Sequence, residues 1–275
     1  MPKERILITV KTYPTLSDKY QELACTAGFR EDGSWVRLYP IPFRLLEENK
    51  RYKKYQWIEV EIAKNKGDPR PESFNVINVD EIQLLNVVGT GRNRDWAERK
   101  SLILSRNKIY TDLEKLIEHA HNDELSLAIF KPTSVDNFKI DKAPSDWPEE
   151  KLKKILESMK QAHLFEDKQD ATEFRIMPKL PFKFSYRFKD ENGKASTLMI
   201  EDWEIGQLYW NCLREHGEAD AVKKVEEKYM DEFVGQKDLY LFLGTTREWH
   251  IRRAPNPFVI IGTFVPPIER QIELL

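Results

Sequence analysis

RILITVKTYPTLSDKYQELACTAGFREDGSWVRLYPIPFR, residues 5–44, alternates β-favouring apolar runs with turn residues. Between two of those runs stands Asp32-Gly33, a hairpin signal, because Asp-Gly accepts the positive φ that tight turns demand. Alternation along SWVRLYPIPF (34–43) sets Trp35, Arg37 and Tyr39 on one face and Val36 and Leu38 on the other. The aliphatic pair is expected to fill a barrel and the Trp/Arg/Tyr face to point outward. Working outward from this stretch, strands are predicted at 6–10, 23–29, 34–40, 56–63 and 81–88. They are separated by Glu-Asp-Gly at 31–33, Pro40, Pro42 and the KGDPRP run at 66–71. Five short strands with a helix-like insert at 43–52 predict a small barrel of the OB type, and an SH3-like barrel fits the same pattern.

The period then changes. Apolar residues recur every three to four positions over 95–121, which predicts two short helices. Strands are expected at 125–131 and in VDNFKID (135–141). PEEKLKKILESMKQAHLF (148–165) follows as a charged amphipathic helix opened by Pro148. Strands at 181–189 and 195–200 flank a DENG turn. Helix is predicted over 204–235, and strands at 238–245 and 257–265 close the chain. The fold class expected is α+β, with two small OB-like β-barrel domains carrying helical insertions and joined by a helical connector. The boundaries are 1–142 for the N-terminal barrel, 143–171 for the connector and 172–275 for the C-terminal barrel.

Bulk properties narrow the function classes. The chain has 275 residues, 40% hydrophobic and 33% charged, and no apolar run long enough to cross a bilayer. MPKERILITV has no apolar stretch ending in small residues, so no secretion signal is read. Cys25 and Cys212 sit in apolar contexts as buried thiols, and a cytoplasmic protein is expected. A net charge of −2 argues against bulk electrostatic gripping of duplex DNA. Charge is nevertheless uneven. Residues 1–55 hold eleven Lys or Arg against seven Asp or Glu, whereas 201–235 hold ten acids against four bases.

Several chemistries lack their residues. The histidines at 119, 121, 163, 216 and 250 have no ligand spacing and there is no Cys-x-x-Cys pair, so no metal site is expected. Gly89-Thr90-Gly91 lacks the third glycine of a dinucleotide fingerprint and runs into Arg-Asn-Arg. No Walker lysine follows a glycine run, and no cofactor is expected. Gly-x-Ser-x-Gly is absent too. Glu201, Asp202 and Glu204 are the acids on which a metal-dependent nuclease would rest.

What remains is a mixture of rings and cations, the composition with which proteins stack bases and hold phosphates. The N-terminal cluster comprises Lys11, Tyr13, Tyr20, Trp35, Arg37, Tyr39 and Arg44. The C-terminal cluster lies in the strand connection TREWHIRRAPN and comprises Arg247, Trp249, His250, Arg252, Arg253 and Asn256. Arg37, Arg44, Arg247, Arg252 and Arg253 are expected on phosphate, and Tyr13, Trp35, Tyr39 and Trp249 on bases.

Residues 11–44 and the segment DLYLFLGTTREWHIRRAPNPFVIIGTF (238–264) together resemble the two ends of the bacterial dual OB-fold domain proteins, over nearly the whole chain. The resemblance implies two OB-like barrels, gene neighbourhoods of phage defence and mobile elements, and no established enzymatic activity. The expected function is therefore non-enzymatic binding of single-stranded DNA or RNA. The rivals are a metal-dependent nuclease and an adaptor that docks a defence effector through acidic helices at Glu226 and Glu227.

Overall fold

The computed structural model describes residues 3–17, 21–165 and 176–269, the side chains of 158–165 excepted. Tyr20 and the end of the expected connector lie outside the described residues. The first strands are β1 (Lys3–Lys11), β2 (Thr15–Ser17), β3 (Gln21–Arg30), β4 (Trp35–Ile41), β5 (Gln56–Lys64), β6 (Ser73–Val76) and β7 (Gln83–Val87). They pair in the order β1-β3-β4-β6-β5, and β5 returns to β1, closing a five-stranded barrel. The β4–β6 pair is parallel and the other barrel pairs are antiparallel. That is the Greek-key closure of an OB barrel, which removes the exposed sheet edges. β2 hydrogen-bonds to β3, and β7 adds to β5. The insert read as helix-like at 43–52 consists of two 3-10 turns, Phe43–Leu45 and Glu48–Lys50.

Inside the barrel are Ile6, Ile8, Val36, Leu38, Ile58 and Val60, as alternation requires. A bulge between Ile8 and Val10 shifts the register, so Leu7 and Val10 share the opposite face.

The chain continues through α1 (Ala97–Ile103), β8 (Ile109–Tyr110), α2 (Leu113–His121), β9 (Leu127–Phe130), β10 (Ser134–Lys142) and α3 (Glu149–Phe165). After these come β11 (Phe182–Lys189), β12 (Ala195–Met199), α4 (Trp203–His216) and α5 (Glu218–Glu226). A π-helical segment, Glu227–Val234, precedes β13 (Tyr240–Thr245), α6 (Arg247–Ile251) and β14 (Phe258–Phe264). Two sheets result, β10-β11-β12 and β14-β13-β9-β8, joined by a bridge between Ile200 and Ile260. β9 pairs with β13 and β10 with β11, so strands from 109–142 hydrogen-bond with those of the last third. The α+β class, the closed N-terminal barrel and the inserted helices are as the sequence predicts, and the second half, where a second OB-like barrel was expected, is built on these two sheets.

One contact fixes how the two halves meet. Leu7, Val10, Ala27 and Phe29 on the outside of the barrel pack against Leu127, Ile129, Phe242, Val259 and Ile261 of the second half. Each buried Phe in such a seam stabilises by about 1.5–3 kcal/mol, so the halves form one body around a shared core. On the far side of the C-terminal sheet, α2, α4, α5 and the π-helical segment cover a second core that includes Leu116, Ile205, Tyr209, Val225 and Tyr229. Among the described residues, no helix is long and apolar enough to cross a membrane.

Candidate functional site

A cleft of about 810 Å³ opens where the barrel meets α4 and the π-helical segment. Seven cations line it: Lys11, Lys53, Lys54, Arg94, Arg99, Lys228 and Lys237, against three acids, Asp202, Glu204 and Glu232. Tyr55, Trp96, Trp203, Tyr229 and Phe233 interleave with them. Its backbone is unusual on two sides. Tyr55, Arg94 and Trp96 hold φ of 62°, 53° and 59°, a region that non-glycine residues keep only where their surroundings enforce it and that clusters at functional sites. The π-helical turns carry Lys228, Tyr229, Glu232 and Phe233 to the opposite wall, and π-helix is likewise concentrated at functional positions.

The inner end of the cleft is built on one backbone bridge. Thr12, just after β1, pairs with Asp202, just before α4, and Tyr13 N–H donates to Glu201 O at 2.8 Å. Asp202 caps α4 by accepting from the Glu204 N–H at 3.1 Å through Oδ1. Its Oδ2 is buried without a hydrogen-bond partner and lies 3.9 Å from Lys54 Nζ. Burial raises the Asp202 carboxyl to about 7 against the pull of Lys54. Lys54 donates to Glu204 at 2.6 Å and to Thr263 O at 3.1 Å. Burial disfavours its ammonium, but Tyr55, Asp202 and Glu204 outweigh that and hold its pKa above the usual lysine value.

Lys11 Nζ stands 4.5 Å from the Phe43 ring and 5.7 Å from Trp203. Burial depresses its pKa, partly offset by Glu204 and Asp202. Arg99 stacks on Tyr55 and Trp96 at 3.9 and 4.7 Å while donating to Val88 O. Lys53 and Arg94 are exposed, and neither they nor Lys237 pair with a carboxylate among the described residues.

Of the rings and cations singled out in the sequence as nucleic-acid contacts, Lys11 alone lines this cleft, together with Asp202 and Glu204 of the acidic set. The Trp35-Arg37-Tyr39 face does point out of the barrel, but it is turned toward the second half of the protein, with Arg37 buried and Trp35 and Tyr39 half-buried. Trp35 packs on Phe29 and Phe242 at 4.0 and 5.5 Å. Arg37 is 1% exposed. It donates to Ser126 Oγ at 2.6 Å and Ser126 O at 3.1 Å, with a longer contact to Ser73. Ser126 in turn donates its hydroxyl and amide to Glu72. Arg37 is thus a latch across the seam, and the expectation that it holds phosphate from an open face is corrected by this burial.

Tyr13 is a buttress rather than a stacking platform. Its ring covers Gly206, where an added Cβ would come within 2.3 Å of it. Its hydroxyl accepts from Trp210 Nε1 and donates to Pro178 O, each at 2.7 Å. Arg44 donates through Nη1 to both carboxylate oxygens of buried Glu22, at 2.6 and 2.9 Å.

The C-terminal cluster forms α6 and the turn after it. Arg247, Trp249, Arg252 and Arg253 are exposed there. Arg252 pairs with Glu248 at 2.8 Å, and Arg253 grips Asp123 with both Nη atoms. His250 is 1% exposed and bonded to Asp123 at 2.9 Å, and Asn256 accepts from the Phe258 N–H within its turn.

Two members of the N-terminal cluster and one of the C-terminal cluster converge elsewhere. A smaller cavity of about 220 Å³ lies on the other side of the Thr12–Asp202 bridge. Arg37, Tyr39 and Arg247 line it together with Arg70, Thr245 and Glu201. The acids at 201–204 therefore divide: Glu201 lines the small cavity, whereas Asp202 and Glu204 line the cleft. Successive residues of an extended segment face opposite ways, which separates them. Among the described residues no three His, Cys, Asp or Glu side chains gather as a metal site. Sequence reading passed over the cleft's own cations, although the KKY run at 53–55 and GRNRDWAERK at 91–100 mix cations with rings.

The fold and this cleft define an α+β protein with an OB barrel fused to a helix-bearing second half. Residues 2–105 match one domain of unknown function, DUF8758, and residues 109–275 match another, DUF8757, so the chain belongs to the DUF8757 family. No curated protein matches it. A solved structure of a murine DNA-binding protein bound to double-stranded DNA is similar at 9% identity over 98% of each chain. Its TM-score of 0.31 is too low for that likeness to carry weight.

Proposed function

We propose that the protein binds single-stranded nucleic acid in the cleft between the barrel and α4. The observation that carries this reading is the lining: seven Lys or Arg against three acids, interleaved with Tyr55, Trp96 and Trp203. Cations that track a backbone and rings that accept bases are how single strands are held without sequence readout, at ~1–3 kcal/mol per stacked base. At about 810 Å³ the cleft falls within the ~300–1,000 Å³ range of pockets that enclose drug-sized ligands, so it admits a nucleotide or two of a strand and not a duplex. Lys53, Arg94 and Lys237 supply the phosphate contacts in this reading, because no carboxylate among the described residues competes for them.

The test is fluorescence anisotropy with labelled single-stranded and duplex DNA and RNA oligomers. Single strands are expected to bind more tightly than duplexes, with affinity falling as salt rises. Loss of three phosphate contacts in the Lys53→Ala/Arg94→Ala/Lys237→Ala variant should flatten the slope of log affinity against log salt by about 2. Absence of salt-sensitive binding to any of the four ligands would reject the proposal.

A further inference from the structure

The small cavity behind the Thr12–Asp202 bridge is a separate feature, and it does not depend on the strand-binding reading. We propose that it is a binding site for a phosphomonoester.

The cavity holds about 220 Å³, room for a phosphoryl group and a small body attached to it. Arg247 brings a guanidinium group to it, and Arg37, whose Nη atoms are engaged by Ser126 and Ser73, adds its positive charge to the wall. Among the described residues neither has a carboxylate within ion-pairing distance. Arg70 also lines the cavity, but Asp68 neutralises it through Nε and Nη2 at 2.9 and 2.6 Å. Arg247 is exposed at the mouth, and its Nη2 donates to Gly67 O at 2.9 Å. Most of its five N–H donors are therefore left for a ligand.

The second observation is an orphaned hydroxyl. Thr245 is 3% exposed and lines the cavity, and its Oγ1 has no hydrogen-bond partner. A buried polar atom without a partner is costly unless something in the functional state satisfies it.

Charge and shape select the ligand class. Two guanidiniums without contact carboxylates suit a dianion, and a phosphomonoester carries close to two charges at neutral pH. Glu72 offsets Arg37 only at one remove, through Ser126. Glu201, at another part of the wall, has its carboxyl pushed above the usual carboxylate range by burial. Leu23, Val259, Ile261 and the Tyr39 ring form the apolar part of the lining and suit an apolar or planar body on the phosphate.

Isothermal titration of the full-length protein with phenyl phosphate, inorganic phosphate and benzoate tests this. Phenyl phosphate is expected to bind more tightly than either of the others. Arg247→Ala and Thr245→Val should each weaken it, Arg247→Ala by about tenfold or more, as loss of a charge-assisted hydrogen bond does. Neither change should shift the ligand-free melting temperature of the protein by more than a few degrees, since Arg247 is exposed and valine preserves the threonine shape.

Displacement of phenyl phosphate by a 5′-phosphorylated but not a 5′-hydroxyl oligonucleotide assigns the phosphate to a strand end; failure of both to displace it assigns it to a free small molecule. Either result upholds the site. No binding of phenyl phosphate at millimolar concentration, binding unchanged in Arg247→Ala, or benzoate binding as tightly as phenyl phosphate would each overturn it. Strand binding in the cleft is read separately, so failure here leaves that proposal standing.

Discussion

The seam between the two halves and the cleft beside it are both rich in arginine, lysine and aromatic rings, yet they use them differently. At the seam, Arg37 donates to Ser126, and Arg70 donates to Thr245 O at 2.6 Å. These guanidiniums have been turned into hydrogen-bonding posts that tie barrel to sheet. In the cleft, Lys53, Arg94 and Lys237 have no carboxylate to hold among the described residues, and Lys11 lies against Phe43 and Trp203. Composition alone does not separate a latch from a ligand site. What separates them is whether the polar hydrogens are already satisfied, because a satisfied buried donor has nothing left to offer.

The largest effect expected from breaking this contrast is on stability. Arg37→Ala removes the latch and strands the Ser126 acceptors and the Glu72 charge, which should destabilise the protein by about 3 kcal/mol in urea unfolding. A loss under 1 kcal/mol would mean that the seam is held by its apolar contacts alone. Gly206→Ala comes next. The new methyl meets the Tyr13 ring, and overpacking of that kind costs about 1–3 kcal/mol. The same substitution should loosen the contact between the barrel edge and α4, read as faster amide exchange at the start of that helix.

A pH experiment sharpens the picture of the cleft. The folded state keeps the Asp202 proton up to about 7, whereas an ordinary carboxyl loses it at 3.8. Folded protein therefore binds more protons than unfolded protein between those values, and stability falls as pH rises through that window. Asp202→Asn should flatten this slope; an unchanged slope would show that the Asp202 carboxyl does not titrate in that range. The smallest effect is expected from Trp249→Ala. Trp249 is 41% exposed, and its loss should move stability by no more than about 0.5 kcal/mol.

Strand positions were legible because alternation and turn residues are local, and four of the five barrel strands follow the predicted runs; β6 (Ser73–Val76) was not read, and the run at 81–88 became β7, which adds to β5 outside the closed ring. The fate of the barrel's outer face was only half legible. ILITV at 6–10 and ELACTAGF at 22–29 are nearly continuous apolar runs, the mark of strands buried on both faces. That mark says the Trp35-Arg37-Tyr39 side is covered, but Trp, Arg and Tyr in alternation look the same on a ligand-binding surface. The cleft was less legible still. Its cations come from 53–54, 94–99, 228 and 237, and no pattern within a single segment announces that barrel closure and the Thr12–Asp202 bridge will bring them together. Lys11 was found because it sits beside that bridge, within the stretch that sequence reading had already marked.

The most direct test of the central claim sets the two regions side by side in one binding experiment. Anisotropy of a labelled single-stranded oligomer is measured with Lys53→Ala/Arg94→Ala/Lys237→Ala and with Trp249→Ala/Arg252→Ala, each checked for an unchanged melting temperature. The cleft variant should lose about tenfold or more in affinity while the α6 variant binds as the parent does. The reverse pattern, with binding lost at α6 and kept in the cleft variant, would contradict the account.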